Sequence, residues 1–309
     1  MLSRRELTAT IGLLAAGSSL APGALAQKAF ADVSATGPWT ETGFLQRGGG
    51  KLRFAKLGTA SPMRPPAILL HKLGGWMADW RHVAPLLAAN RQVIAIDLPG
   101  HGGSRWEGPA PYIQTLGETA AILVGAFDEW GLPQVDLLGT SLGGCVGASL
   151  AAMFPNRVHK LAIISSALTR ARSLATIAEL VDKGQTNMFD AGGNPTPTDA
   201  KQLSSVFGIV NIESIGAEGN SSRVAAGHWI QPSERGVAIT DIIANLERVE
   251  AETLLLYGAL DPNYIRFRVA AETALKNSRT AYVPNAGAFV IQDNPPATAT
   301  ILNEFLDKG

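Results

Sequence analysis

Short apolar runs without polar alternation recur along the chain from residue 42 onward, and they predict the strands of a buried sheet. Such runs are typical of parallel strands covered on both faces. Phe44 to Arg47 and Leu52 to Leu57 enclose three consecutive glycines and predict a hairpin. The remaining predicted strands are Ala67 to Leu70, Val93 to Ile96, Val135 to Leu138, Leu161 to Ile164, Thr253 to Tyr257 and Thr280 to Val283.

Windows with helical spacing separate most of these runs. They are Trp76 to Ala89, Tyr112 to Trp130, Leu142 to Phe154, Arg266 to Lys276 and Pro296 to Leu306. Alternating strands and helices predict the α/β class, with a doubly wound, mostly parallel sheet of eight strands.

One long segment interrupts this alternation and predicts a separate structural unit. Residues 168–248 hold polar turns and amphipathic pieces, and an excursion of this length usually covers one end of the sheet. We therefore assign 42–167 and 249–309 to an α/β core, 168–248 to a helical cap or lid, and 27–41 to a lead-in.

The first 26 residues have the pattern of an export signal. The pair Arg4-Arg5 precedes an apolar run from Leu7 to Leu20, and Ala24-Leu25-Ala26 supplies a small-residue cleavage pattern. The alternative is a short N-terminal helix or membrane anchor, but the run is short and rich in small residues. We expect a twin-arginine signal peptide and a periplasmic or secreted protein without a membrane segment after cleavage.

Composition excludes several partner classes. The chain of 309 residues has 26 basic and 26 acidic side chains, so no net positive field attracts nucleic acid or an anionic membrane. Its single cysteine, Cys145, excludes an internal disulfide and is expected to be a small buried thiol. No metal-ligand cluster and no nucleotide motif occurs, so no cofactor and no metal are expected.

The strongest chemical motif is G-x-S-x-G, formed by Gly139, Ser141 and Gly143. It follows a predicted buried strand and precedes a helix of small residues. Only glycine at both flanks lets the strand and helix backbones approach closely enough for such a turn. The serine hydroxyl would then lie at a helix N-terminus, where negative charge is favoured.

From about residue 42 to its end the chain resembles the α/β-hydrolase family. The landmarks are the motif around Ser141, His71-Lys72-Leu73-Gly74-Gly75 after the third strand, Asp97 to Ser104 after the fourth, Gly258 to Pro262, and Pro284 to Phe289. The resemblance implies that Ser141 is the nucleophile and Asp261 the triad acid. It also implies that the backbone N–H groups of Leu73 and Leu142 form the oxyanion hole. The alternative for Asp261 is a helix N-cap.

The chain departs from the family pattern at two positions. The family has glycine–histidine in the last loop, whereas this chain has Gly287-Ala288, and alanine cannot accept the serine proton. Loss of one triad member costs up to about a millionfold in turnover. The second departure is Lys72, which replaces a glycine of the oxyanion loop. Its cation would either disturb that loop or stabilise the oxyanion.

The five histidines offer few substitutes for the missing base. His228, in the predicted cap, is the one candidate that would lean over Ser141, although packing in the cap is the simpler role. The other histidines are expected to be structural or solvated: His71 at a strand end, His82 on a helix face, His101 in a loop and His159 at the amino end of the sheet.

Three functions fit this sequence. The first is an exported serine hydrolase of carboxylic esters or lactones, strongly impaired by Ala288, whether that residue is natural or engineered. The second is a non-catalytic relative that binds a small apolar ligand, and the third is acyl transfer without a histidine. Aromatic residues expected near the pocket favour an apolar or aromatic acyl substrate: Trp76, Phe189, Phe207 and Trp229. The oligomeric state is not predicted.

Overall fold

A computed structural model describes residues 36–179, 189–190 and 194–308. The predicted signal peptide and most of the predicted lead-in lie outside these residues. In the described part of the chain, no helix is both long enough and apolar enough to cross a membrane.

Nine strands form one sheet, and eight of them coincide with the predicted apolar runs. The ninth, β5, has two residues and pairs with β2 at the edge. The strands are β1 Glu41–Arg47, β2 Gly50–Leu57, β3 Ala67–Leu70, β4 Val93–Ile96, β5 Arg105–Trp106, β6 Val135–Thr140, β7 Val158–Ile164, β8 Glu252–Gly258 and β9 Ser278–Val283.

The sheet runs in the order β1-β2-β4-β3-β6-β7-β8-β9, with β5 beside β2. Only the β1–β2 hairpin, the β2–β4 pair and the β2–β5 pair are antiparallel. All pairs from β4 through β9 are parallel, so the carboxyl ends of β3, β6, β7 and β8 meet at one edge. The predicted mostly parallel sheet is confirmed.

Helices cover both faces of the sheet, as the unbroken apolar runs require. Ile68 and Leu70 of β3 pack into the core on one face, and Leu69 packs into the core on the other. The helices are α1 Ala84–Leu87, α2 Leu116–Glu129, α3 Leu142–Met153, α4 Leu174–Ile177, α5 Ala200–Phe207, α6 Ile212–Ala226, α7 Ile230–Ile239, α8 Ile242–Leu246, α9 Arg268–Ala274, α10 Val290–Asp293 and α11 Pro295–Asp307. Single 3-10 turns span Met77–Trp80, Pro155–Arg157, Gly227–Trp229 and Ile265–Phe267.

The predicted helix windows are confirmed except near residue 80. The window from Trp76 to Ala89 holds a 3-10 turn followed by the four-residue α1 rather than one helix, and Pro85 at the start of α1 explains the break. Between β7 and β8 lies the inserted segment, residues 168–248. Its described residues carry α4 to α8.

Candidate active site

Ser141 stands at a sharp turn between β6 and α3. Its backbone adopts φ 51° and ψ −109°, a strained conformation for a residue with a side chain. A Cβ on Gly139 would lie 2.2 Å from the carbonyl carbon of Gly143, and one on Gly143 would lie 2.5 Å from the carbonyl oxygen of Leu70. The two glycines therefore permit the turn that aims Ser141 at the carboxyl edge of the sheet, as their spacing predicts.

Two backbone donors are available beside Ser141. Leu142 is the first residue of α3, and Leu73 lies in the loop after β3. Within the described residues, neither of their N–H groups takes part in a hydrogen bond. The Gly143 N–H donates to the His71 carbonyl oxygen at 3.1 Å and fixes one loop against the other. This arrangement suits an oxyanion hole.

Asp261 is buried at the carboxyl end of β8, and its two oxygens have different surroundings. Oδ1 accepts hydrogen bonds from the N–H groups of Asn263 at 2.9 Å and Tyr264 at 3.0 Å. Oδ2 forms no close hydrogen bond among the described residues. Burial raises the pKa of Asp261 above its ordinary value, although the Tyr264 and Asn263 N–H groups and the Ser165 hydroxyl oppose the rise. Oδ1 thus shapes the local turn, and the Ser165 hydroxyl is the side chain that interacts with the carboxyl group.

Ala288 is fully buried in the loop between β9 and α10. Its N–H donates to the carbonyl oxygen of Phe207, the last residue of α5, at 2.8 Å. The Phe207 ring stacks on Phe289 at 5.3 Å and on Tyr264 at 6.2 Å between ring centroids. Position 288 is therefore closed over by α5 and its aromatic neighbours.

The carboxylate of Asp293 binds the two segments that meet over Ala288. It accepts hydrogen bonds from the N–H groups of Val210 at 3.1 Å and Asn211 at 2.9 Å in the inserted segment. It also accepts one from the N–H of Gly287 at 2.9 Å in the loop that precedes Ala288. One carboxylate thereby joins the inserted segment to the loop that carries Ala288.

Tyr264 is the neighbour of the Ser141 hydroxyl that sequence reasoning missed. Its Oη lies 3.4 Å from Ser141 Oγ, within hydrogen-bond distance. Burial raises the pKa of Tyr264 to about 12, so the phenol is neutral at pH 7. The residue follows Asp261 by three positions, and nothing in its local sequence indicates that it faces the serine.

Lys72 is the centre of a buried polar cluster beside the oxyanion loop. Its Nζ donates to Asp79 Oδ2 at 2.7 Å and to Gln292 Oε1 at 3.3 Å, and it lies 5.2 Å from the centre of the Phe289 ring. Burial raises the pKa of Asp79 even though Lys72 opposes that change. Asp79 and Gln292 therefore hold the cation in place.

The histidines do not supply a base to Ser141. His71 Nε2 accepts from the Leu98 N–H at 2.9 Å, and His101 Nδ1 lies 3.1 Å from the Pro99 carbonyl oxygen, so both predicted structural roles are confirmed. Burial lowers the pKa of His101 to about 4. His159 bonds Asp136 at the opposite end of the sheet, and His82 is exposed. His228 lines a separate groove with Trp229, so the suggestion that it leans over Ser141 is wrong.

A cavity of about 300 Å³ opens in front of Ser141. Of the four aromatic residues expected to line it, only Phe207 does. Trp76 and Trp229 line other grooves, and Phe189 is buried against Ala226 and Ile230. The lining is mixed rather than uniformly apolar. It consists of Lys72, Leu73, Gly74, Ser141, Thr198, Gln202, Leu203, Phe207, Ile215, Gly216, Gly219, Asn220, Arg223, Glu234, Tyr264 and Phe289.

The described residues hold no group of three or more side chains suited to a metal ion. Cys145 is buried four residues after Ser141, and burial raises the pKa of its thiol to about 12, so it is a structural thiol as expected.

Known proteins resemble this chain at the level of its core. A family model described as the alpha/beta hydrolase fold matches residues 65–196. A segment of 120 residues is 38% identical to a dihydrolipoyllysine-residue acetyltransferase component of the acetoin cleaving system from Pseudomonas putida, covering 39% of this chain and 31% of that protein. A segment of 106 residues is 38% identical to a 2-hydroxymuconate semialdehyde hydrolase from Pseudomonas sp. (strain CF600), covering 33% of this chain and 36% of that protein. The chain thus spans about a third of the length of these curated relatives.

One solved structure shows how far the architecture is shared. The enol-lactonase from Burkholderia xenovorans LB400 superposes with a TM-score of 0.72 over 86% of this chain and 100% of that chain, at 19% sequence identity. At that identity the similarity establishes the fold alone.

Proposed function

Since this chain is an α/β-hydrolase-fold protein with a serine at the turn between β6 and α3, we propose that it is a serine hydrolase of small carboxylic esters or lactones. In this proposal Ser141 is the nucleophile, and the N–H groups of Leu73 and Leu142 hold the oxyanion. Turnover is slow because position 288 carries no imidazole.

The observation that carries the proposal is the strained backbone of Ser141. A φ of 51° at a residue with a side chain costs on the order of 1–3 kcal/mol and persists only when its surroundings enforce it. Here Gly139 and Gly143 make room for the turn, two N–H donors lie beside it, and a cavity opens in front of it. A protein that only bound a ligand would not require this combination.

The missing imidazole sets the expected rate. In this proposal Asp261, whose Oδ2 forms no close hydrogen bond, is the acid that would orient a histidine. Donors and substrate positioning alone leave roughly a thousandfold acceleration over the reaction in water. We therefore expect acylation of Ser141 to be measurable, and hydrolysis of the acyl-enzyme to be slow because water also needs a proton acceptor.

The size of the cavity and its mixed lining support a small substrate. A volume of about 300 Å³ is at the lower end for small-molecule sites. Aromatic rings such as Phe207 and Phe289 suit an apolar acyl group, and Gln202, Asn220 and Arg223 suit a polar group at its far end. The structural similarity to an enol-lactonase agrees with this class. In this proposal the inserted segment is the cap over the site.

Assay of an activated ester tests the proposal. We expect the chain to release p-nitrophenol from p-nitrophenyl butyrate slowly, and Ser141→Ala, which keeps the turn and removes only the oxygen, to release none above background. Mass spectrometry of the parent should show a butyryl group on the Ser141 peptide. Equal release by both proteins without that adduct would contradict the proposal. Calorimetric binding of butyrate esters by both proteins would then favour the alternative of a ligand-binding protein.

We also propose that the protein is exported through its first 26 residues. N-terminal sequencing of protein from the periplasm is expected to begin at Gln27. Changing Arg4 and Arg5 together to lysine should retain the precursor in the cytoplasm, because the twin-arginine route reads that pair. A cytoplasmic protein that retains Met1 would contradict export.

A further inference from the structure

The hydroxyl that contacts Ser141 belongs to Tyr264, and the fold holds it there from two sides. The Tyr264 N–H is bound by Asp261 Oδ1 at 3.0 Å, which fixes the start of the 3-10 turn Ile265–Phe267. The Tyr264 ring stacks on Phe207 with an interplanar angle of 26°. Asp261 and Phe207, which surround the position of the missing imidazole, therefore position a phenol instead.

From this geometry we propose that Tyr264 is a catalytic residue that passes a proton between Ser141 and the substrate. The inference rests on the proposed esterase function. During acylation, Ser141 Oγ forms a bond to the carbonyl carbon while its proton moves to Tyr264 Oη. At the same time, the phenol proton moves to the leaving alkoxide oxygen as the carbon–oxygen bond breaks, so the products are an alcohol and an acyl-serine.

Deacylation uses the same two transfers in reverse. A water oxygen attacks the acyl carbon and gives its proton to Tyr264 Oη. The phenol returns its own proton to Ser141 Oγ as the acyl–serine bond breaks. The carboxylic acid leaves, and the serine and the tyrosine recover their original protons.

A neutral relay is the route open to this tyrosine. With a pKa of about 12, the tyrosinate fraction at pH 7 is on the order of 10⁻⁵, so a free tyrosinate base would contribute little. In the relay the phenol gains one proton as it loses another and stays neutral. The 3.4 Å separation is long for an O–H···O hydrogen bond, but catalytic hydrogen bonds commonly tighten when substrate binds.

Lys72 and His228 are less suited to this transfer. Lys72 lines the cavity, but its cation is held by Asp79 and Gln292. His228 lies on a separate groove. Within the described residues, Tyr264 is the one side chain that forms a hydrogen bond with Ser141 Oγ.

The test uses Tyr264→Phe, which removes one oxygen and keeps the stacked ring. Tyr257→Phe is the matched control, because its buried hydroxyl has no hydrogen-bond partner among the described residues and does not line the cavity. Each protein is assayed on ethyl butyrate and on p-nitrophenyl butyrate. Ethoxide must be protonated as it leaves, whereas p-nitrophenolate leaves without a proton.

Both esters form the same butyryl-enzyme, so the comparison uses kcat/KM, which reports acylation. We expect Tyr264→Phe to lower kcat/KM on ethyl butyrate about 100-fold and on p-nitrophenyl butyrate clearly less, about tenfold. Tyr257→Phe should match the parent on both esters. Circular dichroism and thermal melting verify that both variants are folded. A purely structural role for Tyr264 would reduce both activities equally, and that result overturns the relay.

Failure of the relay and failure of the proposed function give different results. If the parent hydrolyses both esters through Ser141 and Tyr264→Phe retains both rates, only the relay is wrong. If the parent neither hydrolyses an ester nor forms an acyl adduct on Ser141, the esterase function and the relay fall together.

Discussion

Restoring histidine at position 288 is the most informative single change. Ala288 is fully buried, its N–H is bound to Phe207, and neither Ala288 nor Asp261 lines the cavity. An imidazole introduced there must displace the aromatic rings that now close over the position. In the proposed triad, Asp261 would orient this imidazole.

The expected gain is the difference between two opposing effects. A correctly placed triad base contributes up to about 10⁶ in turnover, and a misplacement of about 1 Å removes roughly 10² of that. We therefore expect Ala288→His to raise kcat/KM at least several hundredfold on p-nitrophenyl butyrate. Overpacking of a buried site costs about 1–3 kcal/mol, so the melting temperature should fall by roughly 2–10 °C. Adding Phe207→Ala should recover stability and increase the gain, because it removes the ring that occupies the space.

The assay compares Ala288→His with Ala288→Asn, a polar residue of similar bulk that cannot accept a proton at neutral pH. The activity of the histidine variant should rise with pH through a pKa near 6.5, because only the neutral imidazole is a base. The asparagine variant should stay at the parent's rate. A folded histidine variant with less than a tenfold gain, or an equal gain from asparagine, would show that Ala288 is not the position of the missing base.

Three further results are expected. Asp261→Asn should raise the free energy of unfolding at neutral pH and lose that advantage below about pH 4. The folded-state pKa of Asp261 is raised, so its contribution to the stability of the parent is complete below the unfolded pKa and is lost as pH rises through the folded pKa. Equal pH profiles of the two proteins in urea melts would contradict this. Lys72→Met should cost about 3–5 kcal/mol because it leaves Asp79 buried without its cation, and adding Asp79→Asn should recover part of that loss in the same melts; no recovery would contradict the pairing. Cys145 should resist iodoacetamide at pH 8 in the folded protein and react after unfolding, because burial raises the pKa of its thiol to about 12; rapid labelling of the native protein would contradict its burial.

The sheet and the turn at Ser141 were predictable because both depend on local sequence. An apolar run without polar alternation can be buried only between two covering layers. Glycine at positions 139 and 143 indicates directly that the backbones of β6, α3 and β3 approach closely there. The assignment of position 288 to a missing base rests on its neighbours Gly287 and Phe289 alone and stays a prediction.

The surroundings of the site depended on tertiary contacts that no local pattern carries. Phe207 comes from the inserted segment and meets Tyr264 and Phe289 from two other loops. Trp229 and His228 occupy the same segment but face a different groove, since the 3-10 turn that carries them directs them away from Ser141. Residue type alone does not indicate which side chains of the inserted segment face the cavity at Ser141. For that reason, most of the aromatic residues predicted to line the cavity lie elsewhere.

The hydrogen bonds of Asp293 have a consequence for how molecules enter and leave. They hold the backbone at Val210 and Asn211 to Gly287, and hydrogen bonds to a charged group contribute about 1.5–3 kcal/mol each. Swinging the whole segment away from this edge would break three of them at once, a cost of several kcal/mol. Substrate entry and product release must therefore depend on rotation of side chains or on movement of a wall of the cavity remote from Asp293. The edge held by Asp293 stays fixed during these movements.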